Sequence, residues 1–85
     1  MMKYFVYILK SINSLKTYVG MTEDVESRLK EHNTKKTKST KAFTPYIILH
    51  LEEFDSRLSA RKREKYLKSG SGREWIKKRF FINKD

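Results

Sequence analysis

Cysteine is missing altogether from this 85-residue chain. Its absence excludes disulfides, thiolate zinc sites and thiol nucleophiles. Histidine is scarce: His32 and His50 are the only imidazoles, too few for a metal site built from several histidines. One proline and three glycines exclude collagen-like and low-complexity architectures. No apolar run approaches the roughly twenty residues needed to cross a bilayer. The N-terminal run from Tyr4 to Leu9 stops at Lys10. That is too short for the core of a secretory signal, and no small-residue cleavage site follows. The expectation is a soluble, cytoplasmic protein. Walker loops, Rossmann glycine patterns and G-x-S-x-G elbows are also missing.

Acidic residues are outnumbered two to one. Lys and Arg total 20 against 10 Asp and Glu, a net charge of +10. Such an excess favours a polyanionic partner, and nucleic acid stands ahead of an acidic membrane surface or mere solubility. Aromatics at 13% and hydrophobic residues at 38% supply enough apolar side chain for a globular fold. The length fits one small domain, residues 1–85, hiding only about 60–65% of its unfolded surface.

Residues 3–10 are β-branched and aromatic on both alternating faces. Tyr4, Val6 and Ile8 face one way; Phe5, Tyr7 and Leu9 face the other. A strand apolar on both sides is buried on both, so it is expected in the centre of a sheet. Turn chemistry over residues 11–14 leads to a second strand at Thr17–Met21. Thr22 or Asp24 can cap a helix running to about His32, with Asn33 as its stop. Val25, Arg28, Leu29 and His32 share one arc of that helix. A basic loop follows, carrying Lys35, Lys36, Lys38 and Lys41 with no acid. Tyr46 to Phe54 reads as a third strand. Asp55 or Ser56 caps a second helix to about Lys68, in which Glu64 is the single acid. Gly70 and Gly72 mark a break. Ser71 to Glu74 fits a capping box that opens a last short helix. The order is β-β-α-β-α-α, an α+β domain.

A few polar groups stand out on this frame: Tyr7, Tyr18, Arg28, His32 and Glu64. Taken alone, each has an ordinary structural reading. Tyr7 can be a strand tyrosine packed in the core, and Tyr18 a cross-strand aromatic partner in the hairpin. Arg28 can be a snorkelling helix arginine. His32 can sit at the negative pole of its helix. Glu64 can pair with Lys68 one turn on. Residue spacing alone leaves these readings open.

The ordered set resembles the GIY-YIG nuclease domain. It comprises Phe5-Val6-Tyr7, then Tyr18-Val19-Gly20, Arg28, His32 and Glu64. The stretches Met21–Asn33 and Ala60–Lys68 look like the small single-domain branch, similar to the UvrC N-terminal domain. The chain departs from the pattern in four places. Val6 stands for the isoleucine of the first motif. Phe5 replaces the glycine of the first motif, Met21 stands where some relatives carry lysine, and no asparagine lies near Trp75.

The resemblance implies a three-stranded antiparallel sheet flanked by helices. It implies metal-dependent hydrolysis of DNA phosphodiesters, in repair or recombination. In that reading Tyr7 helps activate water, with Arg28 lowering its phenol from an ordinary value of about 10. Tyr18 shares the site. Arg28 binds the scissile phosphate through its planar donor fork, and His32 orients or deprotonates a tyrosine. Glu64 becomes the lone protein ligand of one Mg²⁺ or Mn²⁺ ion. Lys35, Lys36, Lys38, Lys41, Arg61, Lys65 and Lys68 are the expected contacts to DNA, or to RNA by the same charge logic. The rival expectation is a basic DNA- or RNA-binding module of the same fold that does not cleave. Either way, weak sequence selectivity is expected.

Overall fold

The computed structural model describes residues 2–34 and 41–81. Three strands form one antiparallel sheet: β1 at Tyr4–Ser11, β2 at Thr17–Thr22 and β3 at Tyr46–Phe54. Their order is β2-β1-β3, so the strand that is apolar on both faces lies in the middle. Helix α1 spans Val25–Asn33, α2 spans Arg57–Lys68 and α3 spans Gly70–Ile76. A short 3-10 turn at Lys41–Phe43 precedes β3, and a π-helical turn at Lys77–Phe81 follows α3. The expected α+β order β-β-α-β-α-α is therefore the observed one. Among the described residues, no helix is long and apolar enough to cross a membrane.

Alternation along β1 divides the interior into two layers. Val6 and Ile8 join Val19, Ala60, Leu67 and Ile76 in one cluster, beneath α2 and α3. Tyr7 and Leu9 join Tyr46 in the other, with Tyr18 and Leu29 packed against them. Each fully buried aliphatic side chain contributes about 1.5–3 kcal/mol, so β1 supplies much of the stability of a small fold. A register irregularity between Ile8 and Leu9 on the β3 side bends the sheet locally.

The helix caps refine the sequence expectations. Asp24 caps α1 by accepting from the Ser27 backbone N–H, and Ser56 caps α2 by accepting from that of Ser59. Asn33 is not a free helix stop. It is the last residue of α1, and its amide clamps Tyr46 in β3, donating to the Tyr46 carbonyl at 3.1 Å and accepting its N–H at 2.7 Å. The expected capping box at Ser71–Glu74 is displaced. Ser69 is the cap, accepting from the Gly72 N–H at 3.2 Å, and both Gly70 and Gly72 lie within α3. Gly72 also allows close packing between the two helices. A Cβ on Gly72 would fall 2.0 Å from the Tyr66 carbonyl oxygen and 2.4 Å from the Leu67 Cα.

A polar clasp ties β3 to α2 and α3. Arg63 donates to both oxygens of Glu52, at 2.9 and 3.0 Å. Its guanidinium also lies 4.9 Å from the Trp75 ring centre. His50 bonds the same Glu52 carboxylate at 2.8 Å. This clasp fixes α2, and with it the direction in which Glu64 projects.

Candidate active site

The site grows from β1. Tyr7 stands at the centre of the sheet and pairs in register with Gly20 of β2. Cross-strand partners project to the same face. A side chain at position 20 would meet the tyrosine ring: an added Cβ would lie 2.2 Å from the Tyr7 hydroxyl. Gly20 thus lets the ring lie across β2, and the phenol reaches the helix beyond.

That helix is α1, where Arg28 and His32 sit one turn apart and so on one face. His32 is fully buried, and its Nε2 lies 3.2 Å from the Tyr7 hydroxyl. Arg28 Nε donates to the same oxygen at 3.3 Å. Its Nη1 donates to Glu31 at 2.8 Å. The Tyr18 ring lies 4.9 Å from the His32 ring and 6.5 Å from that of Tyr7. Tyr46 closes the surround, its ring 6.4 Å from His32.

The electrostatics follow from this packing. Burial pushes the Tyr7 phenol above its ordinary value, and the nearby Glu64 charge pushes the same way; Arg28 pulls down without overcoming burial. Arg28 acts in the expected direction, but the expectation of a phenol lowered overall is corrected, because desolvation of the anion outweighs one partly exposed cation. Burial holds His32 below the ordinary imidazole value, and the Arg28 charge adds to the effect. Both effects favour the uncharged imidazole, against a smaller opposing pull from Glu31. A hydrogen-bond chain consistent with these states runs from Arg28 N–H to the Tyr7 oxygen, and from the Tyr7 O–H to His32 Nε2. Hydrogen bonds to Glu31 and then to Tyr7 hold the Arg28 charge more firmly than usual.

Four of the five expected site residues, Tyr7, Tyr18, Arg28 and His32, therefore converge. Glu64 joins them through its charge rather than by a direct hydrogen bond. It faces inward from α2 and is buried, and Lys68 reaches its carboxylate at 3.1 Å and Arg61 at 3.7 Å. Among the described residues, no three metal-ligating side chains cluster. A single carboxylate oxygen donor fits a hard divalent ion whose remaining ligands are water and substrate phosphate, the usual habit of Mg²⁺. It does not fit a preformed protein cage.

Of the expected contacts to nucleic acid, Lys65 is exposed, while Arg61 and Lys68 are half-exposed and engaged with Glu64. Lys41 opens the turn before β3. Lys35, Lys36 and Lys38 lie outside the described residues. Three roles escape the sequence reading, although Gly20 and Asn33 themselves stand in it as a motif residue and a helix stop. Gly20 signals a close approach only once its cross-strand partner is known. Glu31 stands three residues after Arg28, a spacing that signals a helix-face pair. Asn33 gives no sequence signal of its partner thirteen residues away.

Comparison with known proteins gives a consistent picture. The GIY-YIG catalytic domain matches residues 3–79. A UPF0213 protein of Staphylococcus haemolyticus is 39% identical over 79 residues, covering 91% of this chain and 94% of its own length. A UPF0213 protein of Syntrophus aciditrophicus is 44% identical over 76 residues, covering 87% of this chain and 86% of its own. The solution NMR structure of the UPF0213 protein BH0048 from Bacillus halodurans superposes with a TM-score of 0.56. That protein is 29% identical, and the match covers 93% of this chain and 86% of the other.

Proposed function

The chain belongs to the GIY-YIG catalytic domain family, and on that premise we propose that it is a metal-dependent endonuclease hydrolysing DNA phosphodiester bonds. The observation that carries the reading is the Tyr7 hydroxyl held between Arg28 Nε at 3.3 Å and His32 Nε2 at 3.2 Å. A phenol so placed can accept a proton from water while passing its own to the imidazole. The water oxygen then attacks phosphorus, and the bond to the leaving oxygen breaks with its electron pair going to that oxygen. The water proton ends on His32, and the leaving oxygen takes a proton from solvent. A neutral His32 is the required starting state, and burial favours it. General-base assistance of this kind contributes about 10²–10⁴ in rate.

Arg28 has a second task. Its Nε fixes the Tyr7 oxygen while the rest of the fork is directed toward the solvent side, where it pairs with Glu31. A substrate phosphate would compete with Glu31 for that guanidinium, and charge building on the pentacovalent phosphate strengthens the phosphate's hold. Tyr18 packs against His32 and restrains the imidazole. Glu64 would hold a Mg²⁺ or Mn²⁺ ion, which when bound supplies Lewis-acid charge to the phosphate and the leaving oxygen.

The test is Tyr7→Phe, assayed on supercoiled plasmid with Mg²⁺ or Mn²⁺. Phenylalanine fills the same space on β1 but can neither accept nor pass a proton. Wild type should nick the plasmid, and the variant should lose about 10²-fold or more of that rate with its thermal transition intact. Equal cleavage by a folded Phe variant would make Tyr7 a packing residue and overturn the reading.

A further inference from the structure

Two adjoining cavities open beside the site, between the edge of β2 and helix α3. The nearer one, about 260 Å³, is bordered by Tyr18, Lys68, Arg73 and Ile76. The farther one, about 380 Å³, is bordered by Lys16, Arg73, Lys77 and Phe81. Arg73, Ile76 and Thr17 belong to both, so the two form one continuous cleft. It starts at Tyr18, which packs on His32, and at Lys68, which touches Glu64.

The cleft's chemistry is one-sided. Lys16, Lys68, Arg73 and Lys77 line it, and among the described residues no carboxylate does. Lys68 is spoken for by Glu64, and the Lys16 ammonium lies 5.4 Å from the Phe43 ring centre. Arg73 and Lys77 are exposed, and among the described residues neither side chain has an ion-pair partner. Between these cations lie the apolar surfaces of Ile76 and Phe81. β2 is an edge strand, so the backbone along this rim is not covered by a further strand. Cations alternating with apolar surface suit a polymer that alternates phosphates with sugars and bases.

We propose that this cleft is the track for the substrate strand flanking the scissile phosphate, with Arg73 and Lys77 each contacting one backbone phosphate. The inference rests on the nuclease reading for its direction, because the cleft runs outward from the Tyr7–Glu64 centre. It adds a strand path on the α3 side, distinct from the inner face of α2. The occupant is nucleic-acid backbone rather than a free small anion, because the cations extend over two linked cavities instead of converging on one point.

The experiment reads binding without metal, so no cleavage is needed. Labelled single-stranded and duplex oligonucleotides are titrated at several salt concentrations against wild type, Arg73→Gln, Lys77→Gln and Lys62→Gln. Lys62 lies exposed on α2, away from the cleft, and its substitution removes the same charge. Each lost phosphate contact should reduce the log K against log[salt] slope by about 0.7 for single strands or 0.9 for duplex. That corresponds to about eightfold weaker duplex binding at 0.1 M salt. Arg73→Gln and Lys77→Gln should each show this loss, and Lys62→Gln should leave the slope unchanged. Arg73→Lys, which keeps the charge, should restore it.

Slopes for Arg73→Gln and Lys77→Gln that match Lys62→Gln would overturn the cleft, and so would a wild-type protein that binds no nucleic acid. A protein that cleaves but shows unaltered slopes would lose the cleft and keep the nuclease. One that binds through the cleft without cleaving would do the reverse.

Discussion

Adding one methyl group at Gly20 should disable the site while leaving most of the fold standing. The Cβ of alanine would fall 2.2 Å from the Tyr7 hydroxyl oxygen, 2.4 Å from Cζ and 2.9 Å from Cε1. Ordinary contact begins near about 3.5 Å, so the ring must retreat by more than about 1 Å. Its hydrogen bonds to His32 and Arg28 are already long, at 3.2 and 3.3 Å. A further ångström breaks both. Misplacing a catalytic group by that distance costs about 10²-fold in rate.

The stability cost of Gly20→Ala is smaller than its catalytic cost. Overpacking costs about 1–3 kcal/mol. Gly20 has no positive φ, so alanine fits the backbone and regains about 0.4–1 kcal/mol by stiffening the unfolded chain. The net loss of up to about 2.6 kcal/mol should lower Tm by no more than about 20 °C in a domain of this size. Plasmid nicking measured well below that transition, beside a thermal melt followed by circular dichroism, separates the two effects. A Gly20→Ala protein that nicks like wild type would refute the placement of Tyr7 across β2.

Other consequences are as direct. His32 titrates lower in the fold than in the unfolded chain, so the unfolded state binds the extra proton first as pH falls. Its contribution to stability is full above about pH 6.5 and is lost below it. Urea midpoints at pH 8 and 5.5 should therefore differ more for wild type than for His32→Gln, and an identical pH dependence would contradict a buried neutral imidazole. The two α3 glycines should respond oppositely to alanine. Gly72→Ala collides with backbone at Tyr66 and Leu67, whereas Gly70 has nothing within 4 Å. Gly72→Ala should cost about 3 kcal/mol or more, and Gly70→Ala should be neutral or add about 0.4–1 kcal/mol. Thermal melts check both, and comparable Tm values for the two would contradict the tight α2–α3 crossing.

What the sequence disclosed depended on range. The alternation of β1 announced a central strand because both faces of residues 4–9 are apolar, and local periodicity carries that information. The convergence of Arg28 and His32 was legible from helical spacing. The role of Gly20 was not, since it depends on the register that sets it against Tyr7. The Asn33–Tyr46 clamp joins residues on either side of a basic loop and leaves no local pattern. The α3 cap fell on Ser69 rather than Ser71, and the close packing of Gly72 against α2 is a tertiary contact that leaves no local pattern. The shift of Tyr7 was misjudged for a related reason. Charge is visible in a sequence, but the burial that outweighs it is a property of the fold.

Glu64→Gln tests the account at its centre. Glutamine keeps the size and reach of the side chain but removes the charge that would hold a hard cation. It also removes the partner charge for Lys68 and Arg61, which leaves two more cations free for phosphate. Duplex affinity measured without metal should therefore persist or rise. Cleavage across a Mn²⁺ titration should vanish in the variant at concentrations that sustain wild type. Equal cleavage by both proteins at every metal concentration would contradict the assignment and remove Glu64 from the chemistry.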